Sequence, residues 1–308
     1  MRSAFINALY DIAEQDERIW LLSGDLGFSV LEVFAQKYAN RYVNMGVAEQ
    51  NMTGVAAGLA LEGKIVFTYS IANFPIMRCL EQIRNDICYH QLPVKIVTVG
   101  GGVAYGAAGY THFAIEDLAI MRALPNMTVI APGDPAEVRA AIHWIINSNG
   151  PAYLRLGKGG EPVIHSDSEQ LAIQKPIWVI RGMDVVFIAT GGILGQVVIA
   201  AKALREKGVD AGVVSLPMLK PLDTDSIIQI GQSAKGIVTV EEHSESGGLG
   251  ELLASVLINT HTPEKFFEKV YYPSSQIYAL GSQDYLRRKV GLNSSHLIEV
   301  VEAHLLTR

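Results

Sequence analysis

Cysteine is scarce in this chain: 2 of its 308 residues are cysteine. Cys79 and Cys88 fall in a stretch predicted to be one helix, where their spacing turns them to nearly opposite faces. This spacing suits neither a disulfide nor a metal site, so we predict that both are inert packing groups. Scarce cysteines without a pairing pattern are typical of a reducing compartment, and we expect the chain to be cytoplasmic.

Positive charge is not in excess either. Lysine and arginine total 25 against 31 aspartates and glutamates, which gives a net charge of -6 and a pI near 5.8. Such a chain is a poor match for nucleic acid or an anionic membrane as its main partner. The first residues suggest an amphipathic helix rather than a secretion signal, and no apolar run is long enough to span a bilayer. We therefore expect neither nucleic acid nor membrane as a partner.

Several nucleotide-binding and hydrolase motifs are missing as well. The glycine-rich run at 100–109 does not form G-x-G-x-x-G, because position 105 is tyrosine, and the run at 191–195 does not form it either. The chain has no G-x-S-x-G elbow, no H-E-x-x-H and no P-loop. The signal for a nicotinamide cofactor is therefore weak.

What the sequence does contain is a repeated alternation of strands and helices. Apolar residues make up 49% of the chain, and its length suggests about two domains of roughly 150 residues each. Near-continuous apolar strands such as 65–69 and 94–99 are typical of a parallel sheet covered on both faces. The alternation stops at a glycine-, proline- and polar-rich stretch and then restarts. We predict an α/β fold with two doubly wound domains, 1–165 and a smaller one at 178–308, joined by a linker at 166–177.

Finer predictions follow from the same patterns. Helices are expected at 28–38 and at 74–90, and a helix at 48–62 should end at Gly63. The stretch between a helix near 249–259 and the last helix is expected to be irregular.

The segment 46–60 places a single carboxylate, Glu49, at the start of an otherwise apolar helix of small residues. An isolated buried carboxylate is costly unless it has a partner, so packing explains it poorly. In a low-dielectric cleft it can hydrogen-bond a heterocyclic nitrogen. We therefore interpret Glu49 as a chemical group.

Four segments of the first domain fall at the carboxyl ends of strands, where ligands bind in open α/β sheets. They bring to one rim the candidate residues Asp25, Glu49, Tyr69, Phe74 and His112. Other interpretations stay open for four of these residues. Asp25 could be a turn or capping residue, the two aromatics could belong to the core, and His112 could be a loop histidine. The role of His243 in the second half is left open.

The chain resembles the transketolase family of thiamine diphosphate enzymes over nearly its whole length. The motifs that carry this resemblance are Gly46-Val47-Ala48-Glu49-Gln50-Asn51, Glu81-Gln82-Ile83-Arg84-Asn85-Asp86, Thr111-His112, Glu116-Asp117, Leu124-Pro125-Asn126-Met127, Ile188-Ala189-Thr190-Gly191-Gly192 and Val238-Thr239-Val240-Glu241-Glu242-His243. The resemblance implies a pyrimidine-binding domain followed by the family's C-terminal domain. It also implies a reaction in which a two-carbon ketol unit passes from a ketose to an aldose.

The resemblance assigns roles to particular residues. Glu49 matches the glutamate that bonds N1′ of the aminopyrimidine, and Phe74 matches an aromatic residue that stacks on that ring. His112 matches a histidine that faces the reacting carbons of the substrate. Asp25, and Tyr69 on the same rim, are expected near the cofactor. Glu49 and His112 are thus the predicted catalytic residues, and no residue of this chain is predicted to bind a metal.

Two departures from the family pattern change the picture. The run 107–112 lacks the carboxylate with which transketolases read a substrate hydroxyl, and Ile71 and Met77 replace flanking aromatic residues. The family's diphosphate and Mg²⁺ motif, G-D-G with a later asparagine, is absent, because Leu26 follows Asp25. A partner chain is therefore expected to supply that motif and hold the Mg²⁺, typically in an α₂β₂ tetramer that acts on small sugars.

Other functions remain open at this point. The nearest alternatives are the β subunit of a 2-oxo acid dehydrogenase and a carboligase similar to deoxyxylulose-phosphate synthase. A third alternative is a non-catalytic doubly wound scaffold or binding module, in which Glu49 and His112 would have no chemical role.

Overall fold

Two β-sheets, each covered by helices, organise the molecule. The computed structural model describes residues 1–166, 171–258 and 265–306. Within these residues the first sheet has seven strands and the second has five. The prediction of two α/β domains with mostly parallel sheets is confirmed.

The first sheet is built mainly by the first half of the chain. Its strands there are β1 (Ile19–Ser23), β2 (Tyr42–Asn44), β3 (Ile65–Ile71), β4 (Val94–Val99), β5 (Thr128–Ile130) and β6 (Ala152–Leu156). They are all parallel and lie in the order β5-β6-β4-β3-β1-β2. Strand β4 is buried along its whole length, as expected for an apolar strand covered on both faces.

Helices cover both faces of this sheet. They are α1 (Arg2–Gln15), α2 (Glu32–Lys37), α3 (Glu49–Leu61), α4 (Asn73–Arg78), α5 (Leu80–Gln82), α6 (Asp117–Ala123) and α7 (Pro135–Ile146). On one face Phe5 of α1 packs against Phe67 and Tyr69 of β3. On the other face Met52 of α3 packs in the same cluster as Val66. Alternate residues of β3 therefore face different helical layers.

The second half of the chain adds six strands and five helices among the described residues. The strands are β7 (Ile177–Ile180), β8 (Val185–Thr190), β9 (Ala211–Ser215), β10 (Met218–Lys220), β11 (Gly236–Glu241) and β12 (Phe266–Val270). The helices are α8 (Leu194–Glu206), α9 (Thr224–Ser233), α10 (Leu249–Leu257), α11 (Gln283–Lys289) and α12 (Ser294–Leu306). The second sheet has the order β12-β11-β8-β9-β7, with β7 antiparallel to β9.

Strand β10 crosses between the two halves. It pairs antiparallel with β5, with Met218 opposite Ile130 and Lys220 opposite Val129. The seventh strand of the first sheet thus comes from the second half. The sequence pattern did not predict this pairing, because a strand of three residues gives almost no periodic signal.

Two of the predicted helices differ from the structure. The helix expected at 28–38 is only α2, since the chain before Glu32 turns through a left-handed residue, Ser29. The helix expected at 74–90 is broken into α4, α5 and a π-helical segment, Ile83–Cys88. Cys79 and Cys88 are both buried in one large apolar cluster. Both are free thiols, and burial raises their pKa, as suits packing groups.

The remaining differences lie in the second half. The stretch expected to be irregular contains β12 and α11. The predicted linker has residues 167–170 outside the described residues, and its last residue, Ile177, begins β7. Residue 259 of the predicted helix near 249–259 also lies outside them. Among the described residues, none of the helices has the length and apolar character needed to cross a membrane.

Candidate functional site

The carboxyl ends of β1, β2, β3 and β4 meet at one edge of the first sheet because these strands are parallel. The segments that follow them carry Asp25, Glu49, Phe74 and His112. The structure therefore places four of the five predicted site residues at this edge, where α/β sheets bind ligands.

Glu49 is a buried carboxylate with two side-chain partners. It is the first residue of α3, which is followed by Gly63 at a φ of +80° as predicted, and it is 2% exposed. Its Oε2 accepts a hydrogen bond from Arg78 Nη1 at 2.8 Å, and its Oε1 accepts a longer one from Ser70 Oγ at 3.3 Å. The Arg78 side chain is 47% exposed. The main partner of Glu49 is therefore a side chain that can swing away into solvent.

The Arg78 guanidinium also lies over an aromatic ring. Its central carbon is 4.5 Å from the ring centroid of Phe74, while one of its nitrogens bonds Glu49. A guanidinium is flat and carries N–H donors at its edge. The flat Arg78 guanidinium thus contacts both the Phe74 ring and the buried carboxylate.

His112 lies beside Phe74. The two ring centroids are 5.1 Å apart in an edge-to-face arrangement. The His112 Nδ1 is 3.0 Å from Thr111 Oγ1, and the Thr111 carbonyl accepts a hydrogen bond from Asn73 Nδ2 at 2.7 Å. The loop that carries His112 is therefore tied to the helix that carries Phe74.

Two further residues extend this group and were not predicted. The Tyr105 ring centroid is 6.4 Å from that of His112, and Lys158 Nζ is 4.9 Å from the Tyr105 ring centroid. A cation over a tyrosine ring is a weakly stabilising contact at an accessible position. Little in the sequence pointed to either residue, because each lies in a glycine-rich run that forms no recognised motif. Lys158 adds a positive charge to the rim of the site.

Asp25 lies at the same edge but faces outward. It is exposed, has a φ of +58°, and its Oδ1 accepts a hydrogen bond from Asn44 Nδ2 at 2.9 Å. Its neighbour Gly24 lies against Glu49: a Cβ atom added at position 24 would be 3.5 Å from Glu49 Oε1. Asp25 is thus a turn residue beside the site, available to a group that lies over the edge.

Tyr69 lies apart from these side chains, and its role at the cofactor stays a prediction. Its ring is fully buried and stacks on Phe5 at 5.7 Å, on the α1 side of the sheet. Ser70, which bonds Glu49, points to the opposite side. The alternation of side chains along β3 therefore separates Tyr69 from the carboxylate.

The second half of the chain shapes the loop at 100–112. Glu242 accepts a hydrogen bond from the backbone N–H of Val103 at 2.9 Å, and its carboxylate also pairs with Arg287 at 2.5 Å. The backbone N–H of Gly281 donates to the carbonyl of Gly106 at 3.3 Å. The position of His112 thus depends on contacts from both halves.

Two residues of the family-like motifs outside this edge, Asp117 and His243, make buried contacts within the chain. Asp117 pairs with Arg155 at 2.9 Å, with both side chains under 5% exposed. His243 is buried; its Nε2 lies 3.3 Å from the backbone nitrogen of Ala119 in α6, and its Nδ1 lies 3.0 Å from the Ser244 carbonyl oxygen. The residue left open by the sequence therefore joins the two halves.

Family models match most of the chain. "Transketolase, pyrimidine binding domain" matches residues 1–161, and "Transketolase, C-terminal domain" matches residues 178–297. Among curated proteins, one of the subunits of the apulose-4-phosphate transketolase of Phocaeicola vulgatus is 36% identical over 264 residues, 85% of each chain. A 6-deoxy-6-sulfo-D-fructose transketolase subunit of Clostridium sp. is 33% identical and covers 100% of this chain and 94% of its own length.

A solved structure agrees with these matches. A protein described as "Split gene transketolase, inactive beta4 tetramer" superposes with a TM-score of 0.88 at 36% identity, over 99% of this chain and 97% of its own. Similarity of this extent covers both halves and the edge that carries Glu49. This chain therefore belongs to the transketolase family.

Proposed function

We propose that this chain is one subunit of a split transketolase that depends on thiamine diphosphate. The reaction is the transfer of a two-carbon ketol unit from a ketose, or ketose phosphate, to an aldose. Residues 1–165 would form the pyrimidine-binding domain, 166–177 a linker and 178–308 the C-terminal domain. The observation that carries the proposal is the arrangement of Glu49, Arg78 and Phe74.

The residues at this edge fit the pyrimidine half of the cofactor. An aminopyrimidine is flat and has nitrogen atoms at its edge, as the Arg78 guanidinium does, and it would take that group's place between Phe74 and Glu49. Displacing Arg78 need not leave Glu49 unpaired, because the pyrimidine nitrogen replaces the guanidinium as the partner of the buried carboxylate, and the half-exposed Arg78 side chain can turn into water. The pyrimidine nitrogen would then be the hydrogen-bond partner of the Glu49 carboxylate.

Each residue of the edge has a defined task in this proposal. Glu49 would hold the proton at a ring nitrogen of the pyrimidine, and Phe74 would fix the plane of the ring by stacking. Asp25 would lie beside the cofactor, next to the turn that backs Glu49. When bound, thiamine diphosphate supplies the nucleophilic carbon and the electron sink that carbon–carbon cleavage needs. The protein's own contribution is orientation and the control of protons.

His112 and Lys158 would act on the sugar. A histidine at the rim can give a proton to, or take one from, a substrate oxygen, which is typically worth roughly 10²–10⁴-fold in rate. Lys158 supplies a positive charge that suits an anionic end group. The relatives named for apulose-4-phosphate and for 6-deoxy-6-sulfo-D-fructose are both named for anionic sugars. We therefore propose a phosphorylated or otherwise anionic sugar as one substrate.

A second chain would complete the site and hold the diphosphate and Mg²⁺. On the segments that follow β1, β2 and β3, large apolar side chains are left in solvent: Phe28 is 75%, Val47 74% and Met77 44% exposed. Exposed apolar groups beside a site mark a surface that another chain covers. Several relatives are named as transketolase subunits, so we propose an α₂β₂ assembly. Two free, buried thiols suit a cytoplasmic location.

The proposal is tested by native purification of the untagged chain, with mass spectrometry of whatever accompanies it in equal amount. The pair and each chain alone are then assayed for ketol transfer, with and without thiamine diphosphate and Mg²⁺. We expect transfer only from the pair with cofactor. Decarboxylation of a 2-oxo acid without an aldose would identify a dehydrogenase component instead. A homo-oligomer without partner or activity would favour a scaffold.

A further inference from the structure

Three side chains of metal-binding type meet in the interior where α7 begins, beyond the carboxyl end of β5, which lies several strands along the sheet from β2 and the Glu49 segment. Asp134 and Glu137 are fully buried, and His165 is 6% exposed. The His165 Nδ1 is 3.2 Å from Asp134 Oδ2 and 3.6 Å from Glu137 Oε1. One ligand atom from each residue lies within 4.8 Å of the others. The cluster joins the start of α7 to the segment that leads toward the second half.

Backbone hydrogen bonds fix both carboxylates. Asp134 Oδ1 accepts from the N–H of Glu137 at 2.8 Å, which caps α7, and Oδ2 accepts from the N–H groups of Ile164 and His165, each at 2.8 Å. Glu137 Oε2 accepts from the N–H of Gly133 at 2.6 Å. These bonds are the kind of outer contacts that orient the ligands of a metal site.

One carboxylate oxygen in the cluster is unsatisfied. Glu137 Oε1 is buried and has no hydrogen-bond partner among the described residues, and the same holds for Ser215 Oγ. Ser215 is the last residue of β9, and burial raises the pKa of the Glu137 carboxyl to about 7. Leaving a buried acceptor without a partner is costly, so Glu137 Oε1 points to a missing ligand.

We propose that Asp134, Glu137 and His165 bind a divalent metal ion, with Zn²⁺ the best match to two carboxylates and an imidazole. A tetrahedral Zn²⁺ holds neighbouring ligand atoms about 3.3–3.5 Å apart, close to the two His165 separations. Two carboxylates and a neutral imidazole carry a charge of −2, which the ion cancels. The ion would pin the 164–165 segment to α7, a structural task that does not rest on the proposed function.

Metal analysis of the full, untagged chain tests this inference. The chain is stripped with a chelator, incubated with ZnCl₂, desalted, and measured for zinc and for melting temperature beside the stripped protein. We expect one equivalent of zinc per chain and a melting temperature higher by several degrees, since an ion that binds only the folded state stabilises it. No retained zinc and an unchanged melting temperature would overturn the proposal.

Matched variants locate the ion. Glu137→Gln and His165→Gln should lose the zinc equivalent and the zinc-dependent rise in melting temperature. His143→Gln, an exposed histidine on the same helix, should keep both. If either cluster variant does not fold, the stripped and reloaded wild-type chain still decides the outcome. Zinc that stays in both folded cluster variants would place it elsewhere and contradict the assignment.

Discussion

The two sheets use the carboxyl ends of their strands in different ways. At the first sheet, Glu49 is buried, and its side-chain partners within the described part of the chain are a long bond from Ser70 and an ion pair with the half-exposed Arg78. At the second sheet, Glu241 accepts the N–H groups of Leu249 and Gly250 at 2.6 and 2.7 Å, at the start of α10. The same fold thus leaves one buried carboxylate free to change partners and fixes the other within the chain. Only the first type can exchange its partner for a ligand.

The sharpest test of this contrast is Glu49→Gln. The substitution keeps the shape of the side chain but removes the charge, so we expect the ketol-transfer rate of the assembled enzyme to fall by roughly 10²–10⁴-fold. The melting temperature should stay close to that of the wild type. Steady-state kinetics and thermal unfolding measure the two quantities. The exposed Glu81→Gln variant is the control, and an undiminished rate in Glu49→Gln would remove the basis of the proposed function.

The converse substitution is Glu241→Gln. A glutamine offers one acceptor oxygen where the carboxylate serves two N–H groups, so one buried donor loses its partner. We expect the free energy of unfolding to fall by about 1–3 kcal/mol, with kcat and KM unchanged below the melting range. Denaturant unfolding provides the measurement, with Glu206→Gln at an exposed position as control. A lower rate without a lower free energy of unfolding would mean that Glu241 serves the reaction rather than stability, which contradicts the contrast between the sheets.

Lys95 extends the comparison to a buried amino group whose described partners are carbonyl and hydroxyl oxygens rather than a carboxylate. Its Nζ bonds the Ser148 and Gly150 carbonyl oxygens at 2.8 and 2.6 Å, and burial lowers its pKa from 10.5 to about 7. Between these values the unfolded chain holds the proton and the folded chain does not. The free energy of unfolding should therefore rise with pH across this window, by at most about 1.4 kcal/mol per unit.

The Lys95→Met variant isolates this effect. Denaturant unfolding at pH 7, 8 and 9 should show a smaller rise with pH in the variant than in the wild type, because the titrating group is gone. Lys202→Met, at an exposed position, should keep the wild-type slope. Equal slopes in all three proteins would show that Lys95 stays charged in the folded state throughout.

Arg78→Ala tests whether the guanidinium holds the place of the cofactor. Without this competitor, thiamine diphosphate should bind the assembled enzyme several-fold more tightly, because binding no longer has to break the ion pair of Glu49 with Arg78. Isothermal titration of Arg78→Ala, with the exposed Arg84→Ala as control, gives the ratio. Weaker binding in Arg78→Ala would mean that Arg78 contacts the cofactor rather than making way for it.

The smallest effect is expected for Tyr69→Phe. The Tyr69 hydroxyl is buried and has no hydrogen-bond partner among the described residues, on the side of the sheet away from Glu49. Its removal should leave the rate and the cofactor affinity unchanged and the stability equal or slightly higher. Phe74→Leu, assayed in parallel, should weaken cofactor binding because the ring face is lost. A drop in rate for Tyr69→Phe would support its predicted role at the cofactor.

The sequence predicted the elements that depend on local pattern. Helix α3 and its terminal Gly63 follow from propensity and turn chemistry, and the shared edge of Asp25, Glu49, Phe74 and His112 follows from parallel strands. The alternation of Thr68 and Ser70 with apolar neighbours could also have placed Tyr69 on the other face. The partners of these residues could not be predicted in the same way.

Contacts between distant segments account for what was missed. Nothing local shows that Arg78 reaches Glu49, or that Lys158 lies over Tyr105, because both depend on how loops meet after folding. The break at Cys79 and the π-helical turn that follows reflect packing against neighbours, which overrides the regular helical period. Pairing of β10 with β5 likewise joins segments that are far apart in sequence.

That pairing has a consequence for how the protein is made. As the nascent chain leaves the ribosome, β5 emerges with one edge unpaired, and it stays so until residue 220 has been synthesised. An open strand edge is a template for pairing with other chains, so the first half is exposed to aggregation during that interval. The two halves should therefore mature as one cooperative unit, and a gene divided between residues 165 and 178 should yield a first fragment that needs the second to remain in solution.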